Sequence, residues 1–367
     1  MELSATDLDY LAAHREDAQA ALLTWFAAHA RLLPWREART PYRVWISEIM
    51  LQQTQVETVQ GYFERFMERF PTLEALAAAP LEAVLKVWEG LGYYSRARAL
   101  HRAAQTVQER HQGQLPADLD ALRALPGIGP YTAGAIASLA FELPVPAVDG
   151  NVRRVLARVL ALADPRPALL EAAVRAWLPP EKAGAFNEAL MELGALVCRP
   201  QRPQCAECPW CDLCRARALG QPEAFPLKKP RKTLPHYDVV AAVTVREDRR
   251  VLVAQRRPQD MLGGLWEFPG GKREDGETLE AALGRELQEE MGVTLEVGEQ
   301  MTVVRHAYTH FRITLYAFEC RLSAGEPQCL ECADFRWAAL DELSTLPMAV
   351  TDRRIARVVE QRLTPQE

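Results

Sequence analysis

Four cysteines between positions 198 and 214 constrain this chain more than any other feature. Cys198, Cys205, Cys208 and Cys214 stand in the spacing C-x6-C-x2-C-x5-C. Soft thiolates gathered in one tight loop can wrap a cubane iron–sulfur cluster, which takes four cysteine ligands. Zinc is the structural alternative, but it usually draws on paired C-x2-C knuckles, and this spacing has only one. Cys211, inside the same loop, reads as a bystander thiol. Metal ligation is favoured over a disulfide framework because five of the eight cysteines crowd into this stretch. The N-terminus MELSATDLDY also lacks the basic and apolar regions of an export signal.

Upstream of the loop the chain reads as helix. Val152, Val155, Leu156, Val159 and Leu160 recur at the three- and four-residue steps of one helical face. Breaks fall at Pro34, Pro41, Pro71, Pro80, Pro116 and the Pro126-Gly127 pair. Residues 221–236, QPEAFPLKKPRKTLPH, hold four prolines and four basic residues and read as an extended linker. Beyond it the period changes. Val239–Val245, Val251–Gln255, Thr302–Arg305 and Ile313–Cys320 are strand-like, and Leu279–Met291 is helical. The expected organisation is an all-α domain over 1–220, a linker over 221–236, and an α+β domain over 237–360.

A net charge of −6 looks wrong for a nucleic-acid binder until it is divided along the chain. Residues 1–235 carry 27 basic and 26 acidic side chains, so the acidity belongs to the C-terminal third. A near-neutral region can still hold a local basic face, although composition supplies no positive argument for one. No apolar run approaches the roughly 18 residues of a membrane span. A soluble cytoplasmic monomer without membrane contact is expected.

Leu125-Pro-Gly-Ile-Gly129 joins one helix to the next, which begins near Tyr131. Two glycines, Gly127 and Gly129, permit a tight hairpin, and the backbone N–H groups at the following helix start suit a phosphate. With the cysteine loop downstream, this pattern resembles the helix–hairpin–helix DNA glycosylases of the endonuclease III type, in which such cysteines hold a [4Fe–4S] cluster. Asp149, in VPAVDGNVRRVL, suits the cap of the helix that follows it. The resemblance implies that it also faces the sugar of a flipped nucleotide. Cleaving an N-glycosidic bond builds positive charge on that sugar, which a carboxylate stabilises. Relatives that also cut the strand carry a lysine where this chain has Tyr131. A phenol cannot form a Schiff base, so a monofunctional enzyme is expected.

The stretches PYRVWISEIMLQQTQVETVQGYFERF and WEGLGYYSRAR are similar to the adenine-specific members of that superfamily. The likeness implies that Glu48 protonates the departing adenine, within an apolar wall of Trp45, Ile46, Ile49 and Met50 that would keep its carboxyl partly protonated. It further implies that Tyr131 and Asn151 hydrogen-bond around Asp149, and that Arg36 lines the adenine pocket. Gln53, Thr54, Leu91 and Tyr93 would contact or wedge the base stack. The implied substrate is double-stranded DNA holding adenine opposite 8-oxoguanine or guanine.

In the C-terminal part, Gly271-x5-Glu277-x7-Arg285-Glu286-Leu287-x-Glu289-Glu290-x-Gly292-Val293 resembles a complete Nudix box. Glu286, Glu289 and Glu290 share one helical face and could hold Mg²⁺. In adenine-specific relatives a Nudix-like domain reads 8-oxoguanine through a Phe-Ser-His loop; the matching stretch here is Tyr308-Thr309-His310, a departure in which Tyr keeps the ring and Thr the hydroxyl. Cys329-x2-Cys332 lacks a second pair and reads as free thiols. Two alternatives stay open: hydrolysis of oxidised nucleotides by the Nudix box, and a catalytically silent sensor of mismatched DNA. The fold expected is a helix–hairpin–helix glycosylase core followed by an α+β Nudix-like domain.

Overall fold

A computed structural model describes residues 4–227 and 233–364. Lys228, Lys229, Arg231 and Lys232 of the expected linker lie outside the described residues. The rest falls into two compact units, one within Met1–Ala77 and Arg102–Pro230, the other within Ala78–His101 and Arg231–Glu367. Among the described residues no helix is long and apolar enough to cross a membrane.

The first unit is helical. The helices that place the site are α1 (Pro41–Leu51), α2 (Leu119–Arg123), α3 (Pro130–Phe141), α4 (Gly150–Val159) and α5 (Ala183–Leu196). Thr40 caps α1 by accepting from Arg43 N at 3.2 Å, and Pro41 opens it with a preset φ. Between α2 and α3 the chain reverses at Gly127, whose φ of 77° is left-handed and costs a glycine least. The repeat noted in the sequence is the buried face of α4: Val152, Val155, Leu156, Val159 and Leu160 pack in one core with Trp177, Phe186 and Trp210. Burial of each such aliphatic side chain contributes about 1.5–3 kcal/mol.

The second unit carries β1 (His236–Thr244), β2 (Val251–Gln255), β3 (Trp266–Glu267), α6 (Leu279–Met291), β4 (Thr294–Ala307), β5 (Arg312–Ala324), β6 (Asp334–Ala338) and α7 (Val350–Leu363). Three strands form a mixed sheet in the order β1-β5-β4, with β1 parallel to β5, and three form an antiparallel sheet in the order β3-β2-β6. Alternation along β1 explains why both of its faces are apolar. Ala241 and Val243 enter a core with Ile355 and Val359 of α7, while Val240 and Ala242 enter another with Leu283 and Leu287 of α6.

Residues 78–101 belong to this second unit, although their sequence continues the helical part. Polar contacts hold them there: Lys86 Nζ donates to Ser344 O at 2.6 Å, Trp266 Nε1 to Glu82 Oε1 at 2.7 Å, and Arg353 Nε to Glu89 Oε1 at 2.6 Å.

Candidate active site

Glu48 lies on the buried run Val44–Met50 of α1 and is only 6% exposed. The Tyr131 hydroxyl, in the first turn of α3, donates to Glu48 Oε2 at 2.7 Å, and Met191 Sδ lies 3.3 Å from that hydroxyl. Burial pushes the Glu48 carboxyl up to about 7. The Tyr131 bond and the Arg36 charge oppose this, and the charges of Asp149 and Glu188 add to it. Burial, joined by the Glu48 and Asp149 charges, also holds the Tyr131 phenol well above its ordinary value, so it remains a donor. The hydrophobic neighbours foreseen in the sequence, Trp45, Ile46, Ile49 and Met50, are all buried.

Asp149 is the N-cap of α4. Its Oδ1 accepts from Val152 N at 2.7 Å and its Oδ2 from Asn151 Nδ2 at 3.0 Å. Burial raises its pKa against those two hydrogen bonds. A chain of contacts fixes Asn151 in turn. Arg154 Nη2 donates to Asn151 Oδ1 and to Gly194 O, both at 2.8 Å, and Arg154 Nε donates to Cys198 O at 2.7 Å. A Cβ on Gly194 would stand 2.5 Å from Asn151 Cβ, so only glycine lets α5 approach this closely. The strand-like approach to Asp149 is held by the fully buried Asn187, whose amide accepts from Ala147 N at 3.2 Å and donates to Val145 O at 2.9 Å.

Glu48, Tyr131, Asp149, Asn151 and Arg36 open on one cleft of about 1070 Å³, and Gln53 and Thr54 stand at its wall. Gln53 has a φ of 60°, a left-handed conformation that is uncommon outside glycine. Two acidic residues of this cleft escaped the sequence reading. Glu188 Oε1 accepts from Arg36 Nε at 2.7 Å, and Glu192 accepts both from Arg36 Nη2 at 3.2 Å and, bidentately, from Arg31 at 2.9 Å. Burial pushes the Glu192 carboxyl up, but the Arg31 and Arg36 hydrogen bonds outweigh it and bring the pKa down to about 2. The pair therefore anchors Arg36 in the pocket wall. Their four-residue spacing inside the apolar α5 was the available signal.

Cys198, Cys205, Cys208 and Cys214, with Cys211, line one small void of about 20 Å³ beside Arg158, whose Nη1 is 3.3 Å from Cys198 Sγ. The clustering expected from the spacing is present.

In the second unit Tyr93 and Thr309 meet, their hydroxyls 2.6 Å apart. Tyr93 is exposed and has a φ of 49°, whereas Leu91 is buried at 6% exposure and does not present its side chain. Tyr308 packs half-buried against His306 and Phe311, and His310 is exposed. The expectation of Mg²⁺ on Glu286, Glu289 and Glu290 is not supported. Arg285 Nη1 bridges Glu286 Oε1 and Glu289 Oε2, each at 3.0 Å, and Glu290 accepts from Gly270 N at 3.1 Å. Among the described residues no three His, Cys, Asp or Glu side chains are arranged to hold a single metal ion.

Residues 46–180 match the HhH-GPD superfamily of base excision DNA repair proteins, and residues 240–358 match the NUDIX domain. The adenine DNA glycosylase of Homo sapiens is 36% identical over 402 residues, covering 93% of this chain and 73% of that protein. The adenine DNA glycosylase of Buchnera aphidicola subsp. Acyrthosiphon pisum (strain APS) is 33% identical over 307 residues, covering 82% of this chain and 85% of its own. Among solved structures, a thermostable thymine-DNA glycosylase matches 59% of this chain and 100% of its own at 29% identity, with a TM-score of 0.53. A trapped endonuclease III–DNA covalent intermediate matches 59% of this chain and 99% of its own at 27% identity, with a TM-score of 0.50. With its helical core followed by a Nudix domain, and relatives that match over most of its length, the chain belongs to the adenine DNA glycosylases, enzymes of base excision repair.

Proposed function

We propose that this glycosylase hydrolyses the N-glycosidic bond of adenine paired with 8-oxoguanine or guanine in double-stranded DNA, leaving an abasic site without cutting the strand. The observation that carries the reading is the 2.7 Å hydrogen bond from Tyr131 to a buried Glu48 in the cleft that Asp149 also lines. A carboxyl held at about 7 is protonated in about half of the molecules at neutral pH and can pass that proton to a ring nitrogen of adenine, an otherwise poor leaving group. Asp149, restrained by Val152 N and Asn151, faces the sugar and stabilises the oxocarbenium-like transition state. Arg36 lines the base pocket, Gln53 and Thr54 contact the opened stack, and the exposed Tyr93 of the second unit offers a further wedge, a role the buried Leu91 does not share. Gly127 and Gly129 form the hairpin whose following N–H groups take a phosphate. Tyr308, Thr309 and His310 read the oxidised base, with the Tyr93–Thr309 pair supplying hydroxyl groups.

Cys198, Cys205, Cys208 and Cys214 would hold a [4Fe–4S] cluster, and their convergence on one void beside the cationic Arg158 fits an anionic thiolate set. When bound, the cluster supplies iron–thiolate bonds that brace the 198–214 loop.

The test is excision on a duplex with a single adenine opposite 8-oxoguanine, worked up with and without alkali. Strand breaks are expected only after alkali; breaks without it would refute the monofunctional assignment. The pH profile gives a second test. Glu48 acts in its protonated form, and that fraction falls as pH rises through about 7. Single-turnover rates should therefore decline on the alkaline side, approaching about tenfold per pH unit. On the acid side the decline should begin above the ordinary aspartate value, because burial raises Asp149. A rate that is flat or rising between pH 7 and 9 would remove Glu48 as the acid.

A further inference from the structure

The Cys329-x2-Cys332 pair does not line the cleft of Glu48 and Asp149, and the structure places its two sulfurs 2.7 Å apart. That is well inside van der Waals contact and about 0.7 Å longer than a covalent S–S bond. The loop carrying the pair is held in place. Gln328 N donates to Met291 O at 3.0 Å, Leu330 N and Glu331 N donate to Glu290 O at 3.0 and 3.1 Å, and Ala333 N donates to Gln255 O at 2.8 Å. The first three bonds satisfy carbonyls at the C-terminal end of α6 that the helix itself leaves without partners, and the last ties the loop to the end of β2. The sulfurs are therefore brought together by a docked backbone.

We propose that Cys329 and Cys332 form a redox modification site, a dithiol that closes to an intramolecular disulfide by exchange with small aliphatic disulfides. Cys329 is exposed and accepts the hydrogen bond; Cys332 is half-buried and donates it. Burial, the Cys329 contact and the nearby Glu290 charge push the Cys332 thiol up to about 12, so it stays the protonated partner until the second step. In the first step the Cys329 thiolate attacks one sulfur of the small disulfide. The reagent's S–S bond breaks, one small thiol leaves, and a mixed disulfide forms at Cys329. Cys332 Sγ then loses its proton to solvent and attacks Cys329 Sγ, expelling the second small thiol. Two protein thiols are oxidised, and one small disulfide is reduced to two thiols.

Zinc is the competing occupant of a C-x2-C pair, and the geometry disfavours it. Two thiolates on one tetrahedral zinc, each about 2.3 Å from the metal, stand roughly 3.8 Å apart. The pair would have to open, and no third ligand joins it among the described residues.

The test uses the full-length protein equilibrated in mixtures of oxidised and reduced glutathione. Remaining thiols are blocked with N-ethylmaleimide, and the tryptic peptide 322–336, which holds both cysteines and none of those in 198–214, is weighed. The expected product at oxidising ratios is an unblocked peptide about 2 Da lighter than the reduced one, restored by reduced glutathione. In Cys332→Ser the exchange stalls after its first step, so glutathione carried on Cys329 should exceed the wild-type level roughly tenfold or more. Three results would overturn the proposal. These are a wild-type peptide blocked at both cysteines at every ratio, glutathione adducts at equal levels in wild type and Cys332→Ser, and one zinc per chain that is lost in Cys332→Ser.

Discussion

Glu48→Gln is expected to slow adenine excision by roughly 10³-fold while making the folded protein more stable at pH 8. The two effects share one cause. Glutamine has the shape of glutamate and keeps an amide oxygen that accepts from Tyr131, so the 2.7 Å contact survives. It has no proton to give to a departing base, and general acid catalysis typically contributes 10²–10⁴-fold. The stability effect follows from linkage. The folded pKa of about 7 lies above the ordinary 4.5, so the wild-type protein retains a proton that the unfolded chain has released. Stability associated with this group is full below pH 4.5 and falls as pH rises to about 7, where the loss becomes complete. A shift of that size corresponds to about 3 kcal/mol, on the order of what the neutral amide recovers at pH 8. Tm measured at pH 8 should therefore rise in Glu48→Gln, and the gain should disappear near pH 4. Unchanged excision would dismiss Glu48 as the acid. A Tm gain that is the same at both pH values would show that its burial does not perturb it.

The parts of this molecule that were legible in its sequence are those whose signal is local. The face of α4 announced itself because Val152, Val155, Leu156, Val159 and Leu160 all point into one core. Strand β2 and helix α6 end where the change of hydrophobic period places them, at Val251–Gln255 and Leu279–Met291. Strand β6 was not foreseen, because Asp334 and Arg336 are polar on a short strand with a single paired neighbour. The start of β4 was hidden by register shifts around Val297 and Gln300, which interrupt its alternation. Glu188 and Glu192 posed the opposite problem. Acidic residues four apart on a helix ordinarily mark a solvated stripe. Arg31, Arg36 and Arg39, about 150 positions or more away in the chain, make that stripe an interior one. The grouping of residues 78–101 was equally unreadable, since it depends on side chains donating to distant carbonyls at Ser344 and Gly263.

Asp149 raises the question of whether a residue that caps a helix also does chemistry, and two substitutions separate the roles. Asp149→Asn is expected to lower the single-turnover rate roughly 10³-fold, the scale of losing one preorganised charge facing the transition state. Asparagine ranks beside aspartate as an N-cap, so its oxygen can still accept from Val152 N. Its NH₂ would then face the Asn151 Nδ2 that now donates to Asp149 Oδ2, setting donor against donor. Asp149→Ser removes that conflict, because the shorter hydroxyl caps the helix without reaching toward Asn151. If the charge matters, both variants lose excision alike, while Asp149→Ser stays within about 1 kcal/mol of wild-type stability. If Asp149 only caps, Asp149→Ser excises at nearly the wild-type rate, and Asp149→Ala loses activity only in proportion to its loss of fold. Chemical denaturation beside excision kinetics on the three variants decides between these outcomes. The buried position already favours the first: burial raises the pKa of Asp149 although three residues, Val152, Asn151 and Arg154, stabilise its charge. Such an environment makes the carboxylate more responsive to a developing cation than a solvated cap would be.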